Sequence, residues 1–253
     1  MSKTDTRIER EKQFHDERYS DDRRKQQVGK FYSITDSITK AYKQKILAAS
    51  HKASTIEYGC GVGSYAFFLA QNQVELVTGI DISSIAIKLA KEKAAEQGLG
   101  DKIDFQIMNA ENLEFAESSY DLICGSGILH HLNLDLATNS IVRTLKPKGK
   151  AIFIEPLGHN FLINTYRRLT PNIRSQDEHP LLTKDLDAIK ANFKQSKIQY
   201  FYLTSLAASL IANKPGFAAL LGFCQWLDSI LLKLPGIRQQ AWMVLIELEQ
   251  PIK

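Results

Sequence analysis

Gly59, Gly61 and Gly63 stand at alternate positions directly after the short run Ser54-Thr55-Ile56-Glu57-Tyr58. Glycines at such a turn let the backbone approach a ligand, because no Cβ stands in the way. Tyr65 to Gln71 is amphipathic, so the stretch reads as strand, tight turn, helix. The first amides of that helix point at the same spot, and that end of a helix favours negative charge. A lone glycine turn is equally an ordinary strand-to-helix connection. A dinucleotide fingerprint G-x-G-x-x-G would need its third glycine at Ser64. A nicotinamide-dependent oxidoreductase is therefore the weaker reading. Downstream, the apolar run Glu75-Leu76-Val77-Thr78-Gly79-Ile80 ends in Asp81. An acid at a strand tip can accept both hydroxyls of a ribose.

These residues need elements to hold them. Strands read at 54–59, 75–81, 103–109, 120–126 and 149–156, and helices at 64–72, 84–98 and 134–146. In the helix at 84–98, Ile85, Ala86, Leu89 and Ala90 are expected to face inward. Strands separated by such helices imply a parallel sheet with right-handed crossovers. Ligands on these sheets bind outside the carboxyl ends of the strands. Gly59–Gly63, Asp81, Asn109–Ala110 and Gly125–Gly127 all fall at those ends and are expected to meet in one crevice. Beyond Pro156, residues 158–180 read as a polar loop on the active side. A helix is expected over 183–193 with Thr183 as cap, a sixth strand over 198–203 and a last strand over 241–248. Residues 206–238 form an apolar insertion. Residues 1–50 form a charged arm, with a helix running towards Ala49 that turns Ile38, Tyr42, Ile46 and Leu47 to one side.

Ile56-Glu57-Tyr58-Gly59-Cys60-Gly61-Val62-Gly63 resembles the first motif of class I S-adenosylmethionine-dependent methyltransferases. Ile80-Asp81-Ile82-Ser83 resembles their second. Asn109-Ala110-Glu111-Asn112-Leu113 and Tyr120-Asp121-Leu122-Ile123 resemble the third and fourth. Leu129-His130-His131-Leu132 and Leu145-Lys146-Pro147-Lys148-Gly149-Lys150 resemble the segments after the fourth strand and before the fifth. The likeness covers roughly residues 30–160 and the last strand. It is similar to the small-molecule enzymes of the ubiquinone/menaquinone type and related methyltransferases.

The resemblance implies a Rossmann-like, doubly wound α/β fold with a seven-stranded sheet in the order 3-2-1-4-5-7-6. The last strand is antiparallel. Residues 1–50 form a helical arm or lid, and 51–253 the methyltransferase domain, with 158–180 and 206–238 as acceptor-side loop and cap. S-adenosylmethionine is the implied cofactor. Glu57, Gly59, Cys60, Gly61, Gly63, Asp81, Ile82, Asn109, Ala110, Gly125 and Gly127 are the implied cofactor-binding residues. Asn109 stands where the family often has Asp, and can accept the adenine amino group through its amide oxygen. His130, His131 and Glu155 are the catalytic candidates, one histidine serving as base or orienter. Tyr19, Tyr32, His159, Arg167, Arg174 and His179 are the acceptor-side candidates.

The bulk numbers agree with one domain and a cap. The chain has 253 residues, 44% of them hydrophobic, and a net charge of +4. Cys60, Cys124 and Cys224 show neither a disulfide framework nor zinc spacing, so a cytoplasmic protein is expected, without a metal. Gly125-Ser126-Gly127-Ile128 lacks the tetrad of enzymes that methylate exocyclic base amines. No basic and aromatic stripe for nucleic acid is visible, which leaves RNA or protein as the lesser acceptor classes. A cofactor-binding subunit without activity is a further alternative. The apolar part of the insertion is too short for a membrane span, although peripheral membrane contact and a monomer or homodimer both fit.

Overall fold

The computed structural model describes residues 3–20, 33–72, 74, 76–171 and 174–253, and only the backbone of Lys3, Thr4, Asp5 and Ser20. Its strands are β1 (Thr55–Tyr58), β2 (Val77–Asp81), β3 (Ile103–Ile107), β4 (Tyr120–Ser126), β5 (Leu145–Pro156), β6 (Phe193–Phe201) and β7 (Met243–Pro251). They form one sheet in the order β3-β2-β1-β4-β5-β7-β6. β1 pairs in parallel with both β2 and β4, and β7 runs antiparallel to β5 and β6. The chain therefore winds outward from β1 in one direction and returns to build the other half from β4. The crevice at this reversal is where such sheets take ligands.

Helices cover both faces. The described ones are α1 (Lys3–Ser20), α2 (Asp36–Ser50), α3 (Ser64–Gln71), α4 (Ser84–Glu96), α5 (Leu134–Thr144), α6 (Phe161–Leu169), α7 (Thr183–Lys190) and α8 (Phe217–Leu231). α2, α3 and α4 bury Tyr42, Phe67 and Ala90 against one face, while α5 and α7 bury Ile141 and Leu186 against the other. Short 3-10 turns at Leu129–His131, Thr204–Ile211 and Ile237–Gln240 complete the chain.

Several elements differ from their sequence reading. Part of the supposed loop at 158–180 is α6, started by Asn160, whose Oδ1 accepts from Ile163 N at 3.0 Å. It turns Phe161, Leu162 and Leu169 to solvent and buries only Ile163, so its pattern is inverted. β6 begins at Phe193, inside the expected helix. As the edge strand it exposes residues 194–197, two of them lysines, which hides any alternation. α7 starts after Leu182, whose amide donates to Asp185 Oδ2 at 2.8 Å, so Thr183 is its first residue and not its cap. α4 turns Ala86, Ile87, Ala90 and Ala94 inward, whereas Leu89 is exposed. On α2, Ser50 joins Ile38, Tyr42 and Ile46 in the interior, and Leu47 is half-buried.

Candidate active site

The glycine turn after β1 holds left-handed backbone at Gly59, Gly61 and Gly63, with φ of 69°, 52° and 84°. A side chain on Gly63 would meet Phe105 at 2.6 Å and Phe67 at 2.8 Å, so this glycine lets α3 pack onto the sheet. Gly125 is likewise a packing glycine, because its Cβ would fall 2.8 Å from the Tyr58 carbonyl. Glu57 is buried behind the turn. Its two oxygens accept the first amides of α3, from Tyr65 at 3.0 Å and Ala66 at 2.7 Å. Burial pushes its carboxyl up to about 8 against the pull of those amides. Asp81 takes the Gly61 amide on one oxygen at 2.8 Å and the Ser83 amide on the other at 2.9 Å. Burial raises its pKa as well.

A cavity of about 570 Å³ opens at these strand ends. Gly59, Asp81, Ile82, Asn109, Ala110, Gly127, His130, His131, Tyr19, Arg167 and Arg174 all line it. The two histidines differ in their anchors. His130 Nδ1 lies 2.7 Å from Glu155 Oε2, and the other Glu155 oxygen accepts the amides of Ile128 at 2.9 Å and Leu129 at 2.8 Å. Glu155 is fully buried and holds His130 from behind, so it positions rather than touches. His131 Nδ1 lies 3.2 Å from Glu11 Oε2 of α1. Burial, then the neighbouring His130, lowers the His131 pKa. Burial would raise the Glu11 carboxyl, but His131, His15 and Ser175 together hold it well below the usual range.

α1 walls one side of this cavity through Arg7, Ile8, Glu11, His15, Arg18 and Tyr19. It is held by polar tethers. Arg7 donates to Glu111 and to the His131 carbonyl, Arg10 forks onto Asp177 at 2.8 and 2.9 Å, and Ser83 Oγ donates to Asp16 at 2.5 Å. The Tyr19 hydroxyl lies against Gly61, near Asp81, and burial pushes its pKa up to about 12. Tyr19 thus sits at the glycine turn, on the cavity that Arg167 and Arg174 also line. Glu11, His15 and His131, and separately His130, His131 and Glu178, bring donor atoms within 4.8 Å of one another, close enough to share an ion.

Other sequence candidates lie elsewhere. His159 Nε2 accepts the Thr183 amide at 2.9 Å and ties α7 to the segment between β5 and α6, outside the cavity wall. His179 is exposed, and its amide donates to the His130 carbonyl at 2.8 Å. Cys60 is buried beneath the turn, and Gly61 and Gly63 do not line the cavity. Tyr32 lies outside the described residues. Asn109 Oδ1 already accepts the Glu111 amide at 2.9 Å, which leaves one lone pair for a ligand. Arg7, Glu11, His15, Tyr166, Glu178 and Trp242 also wall the cavity and carry no motif of their own.

The methyltransferase domain family matches residues 56–153. These residues run from the glycine turn through β5, where the sheet reverses. Residues 56–153 thus form a methyltransferase domain, similar to that of the class I S-adenosylmethionine-dependent enzymes. Methyltransferase GfsG of Streptomyces halstedii is 29% identical over 110 residues, which are 43% of this chain and 39% of that protein. The ubiquinone/menaquinone biosynthesis C-methyltransferase UbiE of Pseudoalteromonas translucida is 40% identical over 76 residues, 30% of each chain. The matched stretches thus span about half or less of these relatives. The methyltransferase fold also aligns with geranyl diphosphate C-methyltransferase from Streptomyces coelicolor A3(2). The TM-score is 0.62 at 14% identity, over 84% of this chain and 79% of that one. A [4+2]-cyclase, SpnF, shares the fold at TM-score 0.54 and 18% identity, over 83% and 80% of the chains.

Proposed function

We propose that this chain transfers the methyl group of S-adenosylmethionine to a small-molecule acceptor. The observation that supports it best is the single cavity joining Gly59, Asp81 and Asn109 to His130 and His131. Its volume falls in the usual range of small-molecule sites. When bound, the cofactor supplies a methyl group activated by its positive sulfur. Asp81 fits this ligand. It is a half-buried carboxylate without an ion pair among the described residues, and each oxygen accepts one backbone amide. The two hydroxyls of a ribose would add the donors it lacks. Gly59 presents bare backbone to the same space, and Ile82 an apolar wall.

The protein's part is mainly to align acceptor and donor. Glu155 holds His130 by Nδ1, which leaves Nε2 for the acceptor. In this reading one of the two histidines receives the acceptor proton or orients it. His131 suits a base, because its lowered pKa keeps the ring neutral near pH 7. α1 serves as a lid, since it walls the cavity and is tethered by side chains at the rim.

Calorimetric titration with S-adenosylhomocysteine, with NADH as control, tests the reading. Micromolar binding of the first and none of the second is expected. NADH binding alone would instead favour an oxidoreductase. Because a protein named a cyclase shares the fold, methyl transfer itself has to be read in an acceptor screen.

A further inference from the structure

α6 and the segment after it bring Tyr166, Arg167, Arg174 and Glu178 to the cavity wall. Their cationic charge is poorly compensated. Arg167 Nη1 donates to the Leu157 carbonyl and to Asn164 Oδ1, both at 2.9 Å and both neutral. Among the described residues Arg167 has no ion pair. Arg174 Nη1 stands 3.5 Å from Glu178, a loose contact, and its guanidinium lies 5.8 Å from the Tyr166 ring centre. Arg174 Nε is buried without a hydrogen-bond partner. Burial, then the nearby Arg174, draws the Arg167 pKa down to about 10, a sign that the two cations share one poorly solvated space. A half-buried guanidinium without an ion pair and an orphaned buried N–H are both costly unless something answers them.

We propose that Arg167 and Arg174 form an anion subsite, so that the methyl acceptor carries a carboxylate or phosphate group. The proposal rests on the methyltransferase reading above. The arginine fork matches the oxygens of both groups, and an anion between the two cations satisfies Arg174 Nε and relieves their repulsion. The anionic end is anchored at α6, and His130 and His131, whose donor atoms come within 4.8 Å of the Glu178 carboxylate, stand next to it on the same cavity.

The test titrates the full chain, saturated with S-adenosylhomocysteine, with phosphate, diphosphate and benzoate. At least one probe binds. Arg167→Gln and Arg174→Gln each weaken it about tenfold or more, as expected for a lost charge-assisted bond. Arg167→Lys recovers part of the loss, and Lys233→Gln, on an exposed loop, changes nothing. Benzoate binding alone assigns a carboxylate, and phosphate or diphosphate binding alone a phosphate. Arg174→Gln breaks only the loose Glu178 contact and the Tyr166 ring contact, so it decides the matter if Arg167→Gln does not fold. No binding of any probe overturns the subsite, as does equal binding by parent and both variants. Failure of S-adenosylhomocysteine to bind the parent would instead sink the methyltransferase reading.

A separate observation concerns the outer surface. Phe161 and Leu169 of α6, Leu210, Phe223 and Trp226 of the insertion, and Leu234 are 47–78% exposed. The inner sides of these elements share one cluster through Ile163, Leu206 and Phe217, and Asn160 Nδ2 donates to the Gln240 carbonyl at 2.6 Å. Residues 157–170 and 203–242 contain one acid, Asp228, and it is buried. The exposed charges there are Arg168, Lys214, Lys233 and Arg238. We infer that this face docks on an anionic lipid surface, because apolar side chains among cations are what such surfaces hold. Sedimentation with vesicles of phosphatidylcholine alone, and with phosphatidylglycerol added, tests it. Binding is expected only with the anionic lipid, and Phe223→Ser with Trp226→Ser abolishes it. No binding overturns the inference. So does a dimer in light scattering that the same double variant dissociates while the parent ignores vesicles.

Discussion

Asp81, half-buried, and Glu57, buried, are two carboxylates of one glycine turn with different tasks. Asp81 lines the cavity, and Glu57 holds the start of α3. Asp81→Ala is expected to weaken S-adenosylhomocysteine binding about ten- to a hundredfold, roughly 1.5–3 kcal/mol for lost charge-assisted bonds. An unchanged dissociation constant removes Asp81 from the site. Glu57 gives a pH signature. Its folded pKa of about 8 lies above its ordinary 4.5, so its stabilising contribution is complete below pH 4.5 and lost as pH rises towards 8. Glu57→Gln cannot titrate, so its deficit in melting temperature should shrink between pH 5 and 8. A deficit that stays level or grows would mean that the amides of α3 keep the carboxylate charged. Both acids were legible in the sequence, because they stand at fixed offsets from the glycines. The different anchors of His130 and His131 were not, since Glu155 comes from β5 and Glu11 from the distant N-terminal helix α1.

Elements carry their own consequences. Asp228 of α8 accepts the amides of Leu203, Thr204 and Ser205 and the hydroxyls of Thr204 and Ser205, and so starts the 3-10 turn at Thr204–Ile211. In sequence it reads only as an interruption of an apolar run. Asp228→Ala should lower stability by about 1–3 kcal/mol through orphaned donors, as read by urea unfolding. A loss below about 0.5 kcal/mol would show that water replaces it. α1 is attached by polar tethers, of which the Arg10–Asp177 pair is partly exposed and contributes little to folding. Removing residues 1–20 should leave a cooperatively folding domain from which S-adenosylhomocysteine dissociates faster in stopped flow. An unchanged dissociation rate would rule out the lid. The charge pattern of α1 alone fits a solvated helix equally well. Its partners Glu111, Asp177 and Ser83 are distant in sequence.

For the whole molecule, ligand binding and folding are coupled, because the cavity is built from both halves of the sheet and from α1. S-adenosylhomocysteine at 100 times its dissociation constant should add about 2.7 kcal/mol of stability. For a chain of this size that is a rise in melting temperature of roughly 5–10 °C. NADH should give none, and equal shifts would undo the cofactor assignment. The resemblance to class I methyltransferases implied the strand order, and the sequence by itself determined the strand–helix alternation and the positions of the glycine turn, Asp81, Asn109 and the two histidines. These depend on local features: positive φ at glycine, strand–helix alternation, and motifs set at strand ends. Only the tertiary structure decided that α6 exists, that β6 is a lysine-bearing edge, and that His159 and His179 stand outside the cavity. It alone decided that Arg167 and Arg174 share one wall and that Glu11 reaches His131. Such contacts join residues distant in the chain, and packing selects them without leaving a local pattern.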